Sequence, residues 1–359
     1  NANSRFLLRR SRIRVDYVRS NKDHQATMQF VFQFDATERG VVVRDVWTRL
    51  FDQKWKRFAF TTGIFARPFG YEVNLSSADR ESPERGRMSQ ILMKTERDLG
   101  AMVTFESRKK NDPLRYLKLD AGIFNGQGLT GTAEFDSFKD FIGRLSLKPF
   151  PLGKRLTLSA GLSLLQGGLL QNNKYRYTLK DQSGVKQFSV DSSLTNIGQK
   201  DPRRYRGADV QLRWKHPWGG STELRGEYWW GTQTATATTS ETPGSLLGAT
   251  EGYYIRSFNG AFFYLLQNIF STHHQLGFKY DWYDPNTKVS GQEIGRPATN
   301  LNAANLKYST YSLGYNYYVN ENLKLMVWYD VVRNEASSVT GFQQDVKDNV
   351  MTFRLQYRF

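Results

Sequence analysis

The chain has 359 residues, with 50 lysines and arginines against 34 aspartates and glutamates, a formal net charge of +16 and no cysteine. The lack of cysteine excludes a disulfide scaffold and a thiolate metal site, and the basic charge points to anionic partners: nucleic acid, anionic lipid or small acidic solutes. No stretch approaches the ~18 apolar residues of a transmembrane helix, and Asn1 opens polar sequence rather than a secretory signal, so we expect a mature, processed chain.

Apolar and polar residues alternate along short stretches from one end of the chain to the other. Near the end, for example, Met351, Phe353 and Leu355 are separated by Thr352 and Arg354. Such alternation places one set of side chains on each face of a strand. In chain order the fifteen predicted strands are 4–19, 25–35, 40–51, 55–66, 97–108, 114–124, 138–149, 154–166, 204–215, 220–232, 253–268, 271–284, 306–319, 322–333 and 346–359, of which 40–51 and 253–268 alternate poorly.

Short connectors between these strands alternate with long ones. The short connectors are 52–54, 151–153, 218–219 and 320–321, and the long ones are 67–96, 167–203, 233–252 and 285–305. Short periplasmic turns and long extracellular loops are typical of bacterial outer-membrane barrels, and aromatic residues toward the strand ends fit interfacial girdles better than a soluble β-sandwich. We therefore predict an all-β fold, a single antiparallel transmembrane β-barrel spanning residues 1–359 in the bacterial outer membrane.

The number of strands needs one further assumption. Single-chain bacterial barrels close with an even number of antiparallel strands, whereas the alternation gives fifteen. With fifteen strands, a chain whose Phe359 lies on the periplasmic side would have Asn1 on the extracellular side. We therefore expect about sixteen strands in the intact barrel, with one strand merged, missed or preceding Asn1. The terminal Phe359 on an alternating strand resembles the signal of proteins handed to the barrel-assembly machinery.

The first strand carries three basic residues on one face. If Ile13 and Val15 face the lipid, Arg10, Arg12 and Arg14 point into the lumen as a ladder spaced by about 6.6–6.8 Å. The opposite orientation would cost roughly 2–4 kcal/mol for each charge at the membrane midplane. Rings of Arg and Lys favour anions, but ion pairs that brace the wall are an alternative role for each residue. The same alternation sends Arg57, Lys118, Arg144 and Lys148 inward.

Residues 63–72 have the sequence Gly-Ile-Phe-Ala-Arg-Pro-Phe-Gly-Tyr-Glu. This resembles the G-x-F-x-x-P-F-G-x-E signature of the phosphate-selective porin O/P family, in which a strand ends and a loop then folds into the pore. Residues 6–12, 84–85 and 97–100 also match family elements. The resemblance is strong over about the first 150 residues and general beyond them.

The resemblance implies a trimeric, sixteen-stranded barrel whose pore carries Arg and Lys side chains that relay phosphate-like anions. It also implies that 67–96 folds inward as a pore-constricting loop, whereas an ordinary solvated external loop is the alternative. The family's pore-loop lysine has no clear counterpart, and the middle of this loop offers Arg80, Arg85 and Arg87 instead.

We expect a porin for passive diffusion of small anions such as phosphate, with outer-membrane lipids and a homotrimer as its partners. Sulfate, nucleotides and acidic sugars would also suit such a lumen. The alternative is a structural, possibly plugged, barrel subunit of a larger outer-membrane assembly.

Neither an enzyme nor a cofactor is expected. No convincing Ser–His–acid set is present, and the adjacent His273 and His274 would face opposite sides of a strand, so they could not share a metal ion. Nucleic-acid binding is not expected either, because the alternation places the aromatic residues on the lipid side.

Overall fold

A computed structural model describes residues 4–131 and 134–358 and places seventeen strands in one sheet. The strands are β1 (Ser11–Ser20), β2 (Ala26–Thr37), β3 (Gly40–Phe51), β4 (Phe58–Ala66), β5 (Arg97–Glu106), β6 (Leu117–Phe124), β7 (Asp140–Pro151), β8 (Leu156–Leu170), β9 (Arg176–Gln182), β10 (Val185–Asp191), β11 (Lys200–Lys215), β12 (Ser221–Ala235), β13 (Tyr253–Asn268), β14 (His274–Asp284), β15 (Tyr308–Tyr318), β16 (Leu323–Asn334) and β17 (Val350–Tyr357). The helices are α1 (Arg87–Leu92) and four short 3-10 turns at Gly128–Thr130, Leu194–Asn196, Gly291–Glu293 and Ala303–Asn305.

Fifteen of these strands follow one another as an antiparallel meander. β1 to β8 pair in sequence, β8 pairs with β11, and β11 to β17 continue in sequence. They overlap the fifteen predicted strands, so the antiparallel β-barrel architecture is confirmed, although β1 begins at Ser11 rather than at residue 4. A sixteenth barrel strand stays a prediction. Phe359 lies outside the described residues, and so does its predicted role in assembly.

The connector 167–203 is more ordered than the sequence predicts. β8 continues to Leu170, β11 begins at Lys200, and β9 and β10 form a hairpin between them. The turn uses Ser183 and Gly184, whose φ angles are 54° and 82°, as two-residue hairpins require. Only seven residues make each strand, which is too short a run of alternation to stand out among the polar residues around it.

The two faces of the meander differ in polarity. Along β11, Val210 is 48 % exposed on the outer face, whereas its neighbour Asp209 is 7 % exposed on the inner face. Apolar side chains dominate the outer face, and buried polar and charged side chains dominate the inner face. This distribution is the one that a lipid-facing barrel with a polar lumen requires.

Aromatic side chains gather on the outer face of neighbouring strands. Tyr228 stacks on Trp230 at a centroid distance of 5.4 Å, and Tyr280 stacks on Tyr311 at 4.8 Å. Trp282 contacts both Tyr228 and Tyr280. Their position on the outer face fits the predicted interfacial girdle, which stays a prediction. Within the described part of the chain, no helix is long and apolar enough to cross a membrane.

The described residues form three apolar clusters, of which the third, with Tyr264 and Trp328, packs against Tyr71. The first surrounds residues 67–96, which include α1, and contains Phe69, Met88 and Trp229. The second joins the long connectors to one another, with Phe188 and Tyr254 among its members. The first cluster is the one that shapes the lumen.

Candidate functional site

The segment 67–96, here called the inserted loop, leaves the wall between β4 and β5. Its neck is closed by a hydrogen bond from the Arg67 amide to the Glu96 carbonyl, 3.0 Å long. Beyond the neck, the Gly70 amide donates to Ser163 Oγ of β8 at 3.0 Å. The Tyr71 amide donates to a carboxylate oxygen of Glu227 in β12 at 2.7 Å. The loop therefore turns toward the opposite wall rather than out into solvent.

Glu72 organises the middle of the inserted loop. Its carboxylate accepts hydrogen bonds from the Gly86 amide at 3.0 Å and from Ser89 Oγ at 2.7 Å. It also accepts one from the hydroxyl of Tyr264 in β13 at 3.2 Å. At the start of α1, the Arg87 amide donates to Asp281 Oδ1 of β14 at 3.0 Å. The wall thus supplies side-chain partners for backbone groups that a buried loop would otherwise leave unpaired.

The tip of the inserted loop reaches the last strands. Lys324 Nζ of β16 donates to the Arg80 carbonyl at 2.8 Å, and Gln356 Nε2 of β17 donates to the Ala78 carbonyl at 2.8 Å. Glu81 forms an ion pair with Arg225 of β12. The loop therefore crosses the interior from β4 to β17, which confirms the predicted inward fold.

A cavity of about 280 Å³ remains beside the inserted loop. We call it the channel cavity. Five cationic and two anionic side chains line it, along with loop residues Pro68 and Asn74. The charged residues are Arg14, Arg49, Arg97, Lys118, Arg144, Asp45 and Asp120. Five cations against two carboxylates make the lining basic.

Most of these cations have an acidic partner. Lys118 Nζ lies 2.8 Å from Asp120, and Arg144 binds both carboxylate oxygens of Asp209 at 2.6 and 3.0 Å. Arg49 differs, because its Nε donates to the hydroxyl of Thr61 at 2.8 Å and it forms no ion pair with a carboxylate among residues 4–131 and 134–358.

The structure places the predicted arginine ladder of β1 at the lumen wall. Arg12 binds both oxygens of Asp35 at 2.6 and 2.9 Å, and Arg14 pairs with Asp16 at 2.6 Å while lining the channel cavity. Arg10 is half-buried just before β1, without a side-chain partner in the described part of the chain. The ladder is thus a mixture of paired and unpaired guanidinium groups.

The other predicted wall residues lie at different heights. Arg144 lines the channel cavity. Arg57 pairs with Asp112 at 2.7 Å, beside a short turn, and Lys148 pairs with Glu106 at 2.8 Å. Neither Arg57 nor Lys148 is among the residues that line the channel cavity. Their role along the pore stays a prediction.

The three predicted loop arginines are held in the inserted loop rather than in the cavity lining. Arg80 is 3 % exposed, and its Nε and Nη1 lack a hydrogen-bond partner within the described residues. Arg85 forms an ion pair with Glu96. The Arg87 guanidinium lies 4.0 Å from the centre of the Tyr308 ring. Their role in anion passage also stays a prediction.

A bulge in β3 explains why sequence reasoning missed Arg49. The register of β2 and β3 shifts where Gln33 opposes Asp45 and Phe34 opposes Val43, so that Arg44 is the extra residue. A bulge reverses the inward and outward alternation from that point on. The signal in the sequence was the poor alternation of 40–51.

Arg97 was missed for a different reason. It lies two residues before Leu99, which is 48 % exposed, so strict alternation would send both to the lipid face. Arg97 is instead the first residue of β5, and its guanidinium turns inward to Asp45 at 3.2 Å. The end of a strand leaves this side chain free to depart from the alternation.

Comparison with known proteins supports the same architecture. The chain superposes on OprB of Pseudomonas putida with a TM-score of 0.54 at 10% identity, covering 92% of this chain and 83% of that one. It superposes on OmpT, an outer membrane protein of Vibrio cholerae in a trimer form, with a TM-score of 0.52 at 12% identity, covering 99% and 95%. These likenesses show the fold. A search of curated proteins gives no match.

A family model matches the last part of the chain. Residues 255–359 match the model of phosphate-selective porin O and P. The chain is a porin-type β-barrel of the bacterial outer membrane. The predicted resemblance to this family is thereby confirmed. The matched residues of this porin lie in its last third, whereas the motifs that carry the resemblance in the sequence lie in the first 150 residues.

Proposed function

We propose that this porin lets small anions, phosphate among them, diffuse passively through the channel cavity, with the whole chain 1–359 acting as one domain. The observation that carries the proposal is the lining of that cavity, where five cations face two carboxylates. Cationic rings favour anions because each ion exchanges part of its hydration shell for charge-assisted hydrogen bonds. Such diffusion needs no catalytic group.

Weak, repeated contacts suit a diffusion channel better than one tight site. Arg14 and Arg144 already hold carboxylates, so each offers an arriving anion only part of its charge. Arg49 offers its charge without a paired carboxylate. The family match to phosphate-selective porins supports phosphate as one solute. A homotrimer is part of the proposal and follows the family resemblance.

A second candidate function is a plugged barrel that serves a larger outer-membrane assembly. It is favoured by the apolar cluster around the inserted loop, which fills part of the lumen with buried side chains such as Phe69 and Met88. In that case the channel cavity would not connect the two sides of the membrane.

Single-channel recordings in planar bilayers, with the reversal potential measured under a salt gradient, test both candidates. We expect a stable conductance that prefers anions and falls when phosphate is added. The double variant Arg14→Glu with Arg49→Glu should shift the reversal potential toward cation preference. Lys54→Glu, in an exposed short turn, is the matched control and should change nothing. A silent bilayer from folded protein would favour the plugged barrel.

A further inference from the structure

The outer face of β11 carries cations that the channel does not use. Even-numbered residues at the start of this strand are exposed, whereas the odd-numbered ones are buried. Lys200, Arg204 and Arg206 therefore lie on the same outward side as the apolar Val210 farther along the strand. Residues two apart on a strand are about 6.6–6.8 Å apart, so Arg204 and Arg206 are direct neighbours.

These arginines lie level with the aromatic girdle. Arg206 is in register with Leu164 of β8 on one side and Trp230 of β12 on the other. Trp230 stacks on Tyr228, and such rings mark the height of the lipid headgroups. Arg204 and Arg206 lie near the start of β11, at the end of the barrel that carries the long connectors. In a bacterial barrel this end is extracellular. The two guanidinium groups therefore face the outer leaflet at headgroup depth.

The charge of this surface is not balanced by the protein. Neither Arg204 nor Arg206 forms an ion pair or a side-chain hydrogen bond within residues 4–131 and 134–358. Beside them, Lys200 Nζ lies 3.4 Å from the carbonyl of Lys139, and Lys139 pairs with Glu134 at 3.3 Å. Of these four cations, Lys139 alone forms an ion pair within the described residues.

We propose that Lys139, Lys200, Arg204 and Arg206, here called the outer cationic patch, bind the phosphate groups of a phosphorylated glycolipid in the extracellular leaflet, namely lipopolysaccharide. Guanidinium groups suit this ligand because their paired N–H donors match two phosphate oxygens at once. An anion at this height also offsets the cost of presenting arginine to the membrane.

The apolar surface beside the patch fits the acyl chains of the same lipid. Leu162, 60 % exposed, and Phe141, 43 % exposed, lie on the outward face of β8 and β7. Leu162 is in register with Ala208, two residues farther into the membrane than Arg206. One lipid could therefore place its phosphates on the arginines and its chains against these side chains. The proposal rests on the barrel and its orientation and not on anion conduction.

Titration of the purified, detergent-solubilised protein with fluorescently labelled lipopolysaccharide tests the proposal. Arg204→Glu with Arg206→Glu should weaken binding by at least about tenfold, which corresponds to about 1.4 kcal/mol. Lys54→Glu with Lys154→Glu, in exposed short turns, is the matched control and should leave the affinity unchanged. Enzymatic removal of the lipid phosphates should weaken wild-type binding by a similar factor.

One further double variant and one competing lipid distinguish specific binding from misfolding and from general attraction to acidic lipids. Arg204→Lys with Arg206→Lys keeps both charges but loses the paired N–H donors, so its affinity should lie between those of the wild type and the double glutamate variant. An affinity above that of the glutamate variant separates loss of charge from misfolding. Unchanged binding by the double glutamate variant, or equal binding of the dephosphorylated lipid, would overturn the proposal. Equal competition by phosphatidylglycerol micelles would also overturn it, because any acidic lipid would then suffice.

Discussion

Arg225 of β12 and Glu81 of the inserted loop form a two-pronged ion pair across the lumen. Arg225 Nη1 lies 2.7 Å from Glu81 Oε2, and Nη2 lies 2.8 Å from Oε1. Arg225 also binds Glu223 on its own strand at 2.7 Å. One guanidinium therefore holds two carboxylates, and it ties the tip of the inserted loop to β12.

Removing one partner should loosen the inserted loop. In Glu81→Gln the guanidinium loses one of its two carboxylates and keeps Glu223, so the cost should lie below the about 3–5 kcal/mol of a buried charge left without any partner. We expect a lower thermal unfolding temperature and noisier single-channel currents. The control is Arg333→Gln, which breaks an exposed ion pair with Asp345 outside the lumen. Quiet currents in Glu81→Gln would show that the loop is held by its other contacts.

Arg49 should contribute more to anion preference than Arg144. Arg49→Gln removes a cation that forms no ion pair within the described residues, so the reversal potential should move toward zero. Arg144→Gln with Asp209→Asn removes a cation and its paired anion together, so the net charge is unchanged and the reversal potential should stay near the wild-type value. Equal shifts in the two variants would contradict the role given to the unpaired charge.

Gly70 should resist substitution by alanine. Its φ angle is +71°, and an added Cβ would lie 2.4 Å from Glu227 Oε1 and 2.6 Å from the Trp229 ring. The left-handed backbone alone costs alanine about 1–2 kcal/mol, and the contacts would push the inserted loop off the wall. We expect altered conductance and a lower unfolding temperature. Gly153→Ala, where nothing lies within 4 Å of the added Cβ, should behave as wild type.

Asp112 should make the stability depend on pH. The Leu114 amide, the Ser107 hydroxyl and the Arg57 guanidinium bind its carboxylate and lower its pKa to about 2. A lowered pKa in the folded state stabilises the protein above the ordinary carboxyl pKa of about 3.9, and this stabilisation is lost as the pH falls through the folded value. Asp112→Asn should therefore unfold at a lower temperature than wild type near neutral pH.

The difference between the two proteins should shrink between about pH 4 and pH 2. Heat-induced loss of the compact band on a detergent gel measures it. Glu321→Gln, an exposed carboxyl in another short connector, is the control. A difference that persists unchanged at the acid end would contradict the assignment to Asp112.

The positions of the strands could be predicted because a lipid outside and water inside force strict alternation. The alternation gave the orientation of Arg12 and Arg14 in β1, where the register with β2 is regular over these residues. It failed at Arg49, because the bulge at Arg44 shifts the alternation, and at Arg97, because the end of a strand is free to turn. No particular residue type in the sequence marks either the bulge or the strand end that turns inward.

The candidate site was harder to predict than the fold. Family resemblance indicated that 67–96 turns inward, but the contacts that hold it come from residues such as Glu227 and Tyr264, far away in the sequence. Likewise, nothing near Arg144 in the sequence shows that Asp209 neutralises it. Ion pairs across a lumen depend on the tertiary structure, which alternation along one strand does not reveal.

The anchors of the inserted loop also set an order of events during assembly. The loop lies between β4 and β5, whereas its partners Arg225 and Gln356 lie in β12 and β17, 144 and 278 residues later in the chain. Contacts at such separations require the intervening chain to be in place first. The cross-section of the lumen is therefore complete only once the last strands of the chain are in the wall, so a barrel that lacks β17 would lose one of the contacts that fix the tip of the loop.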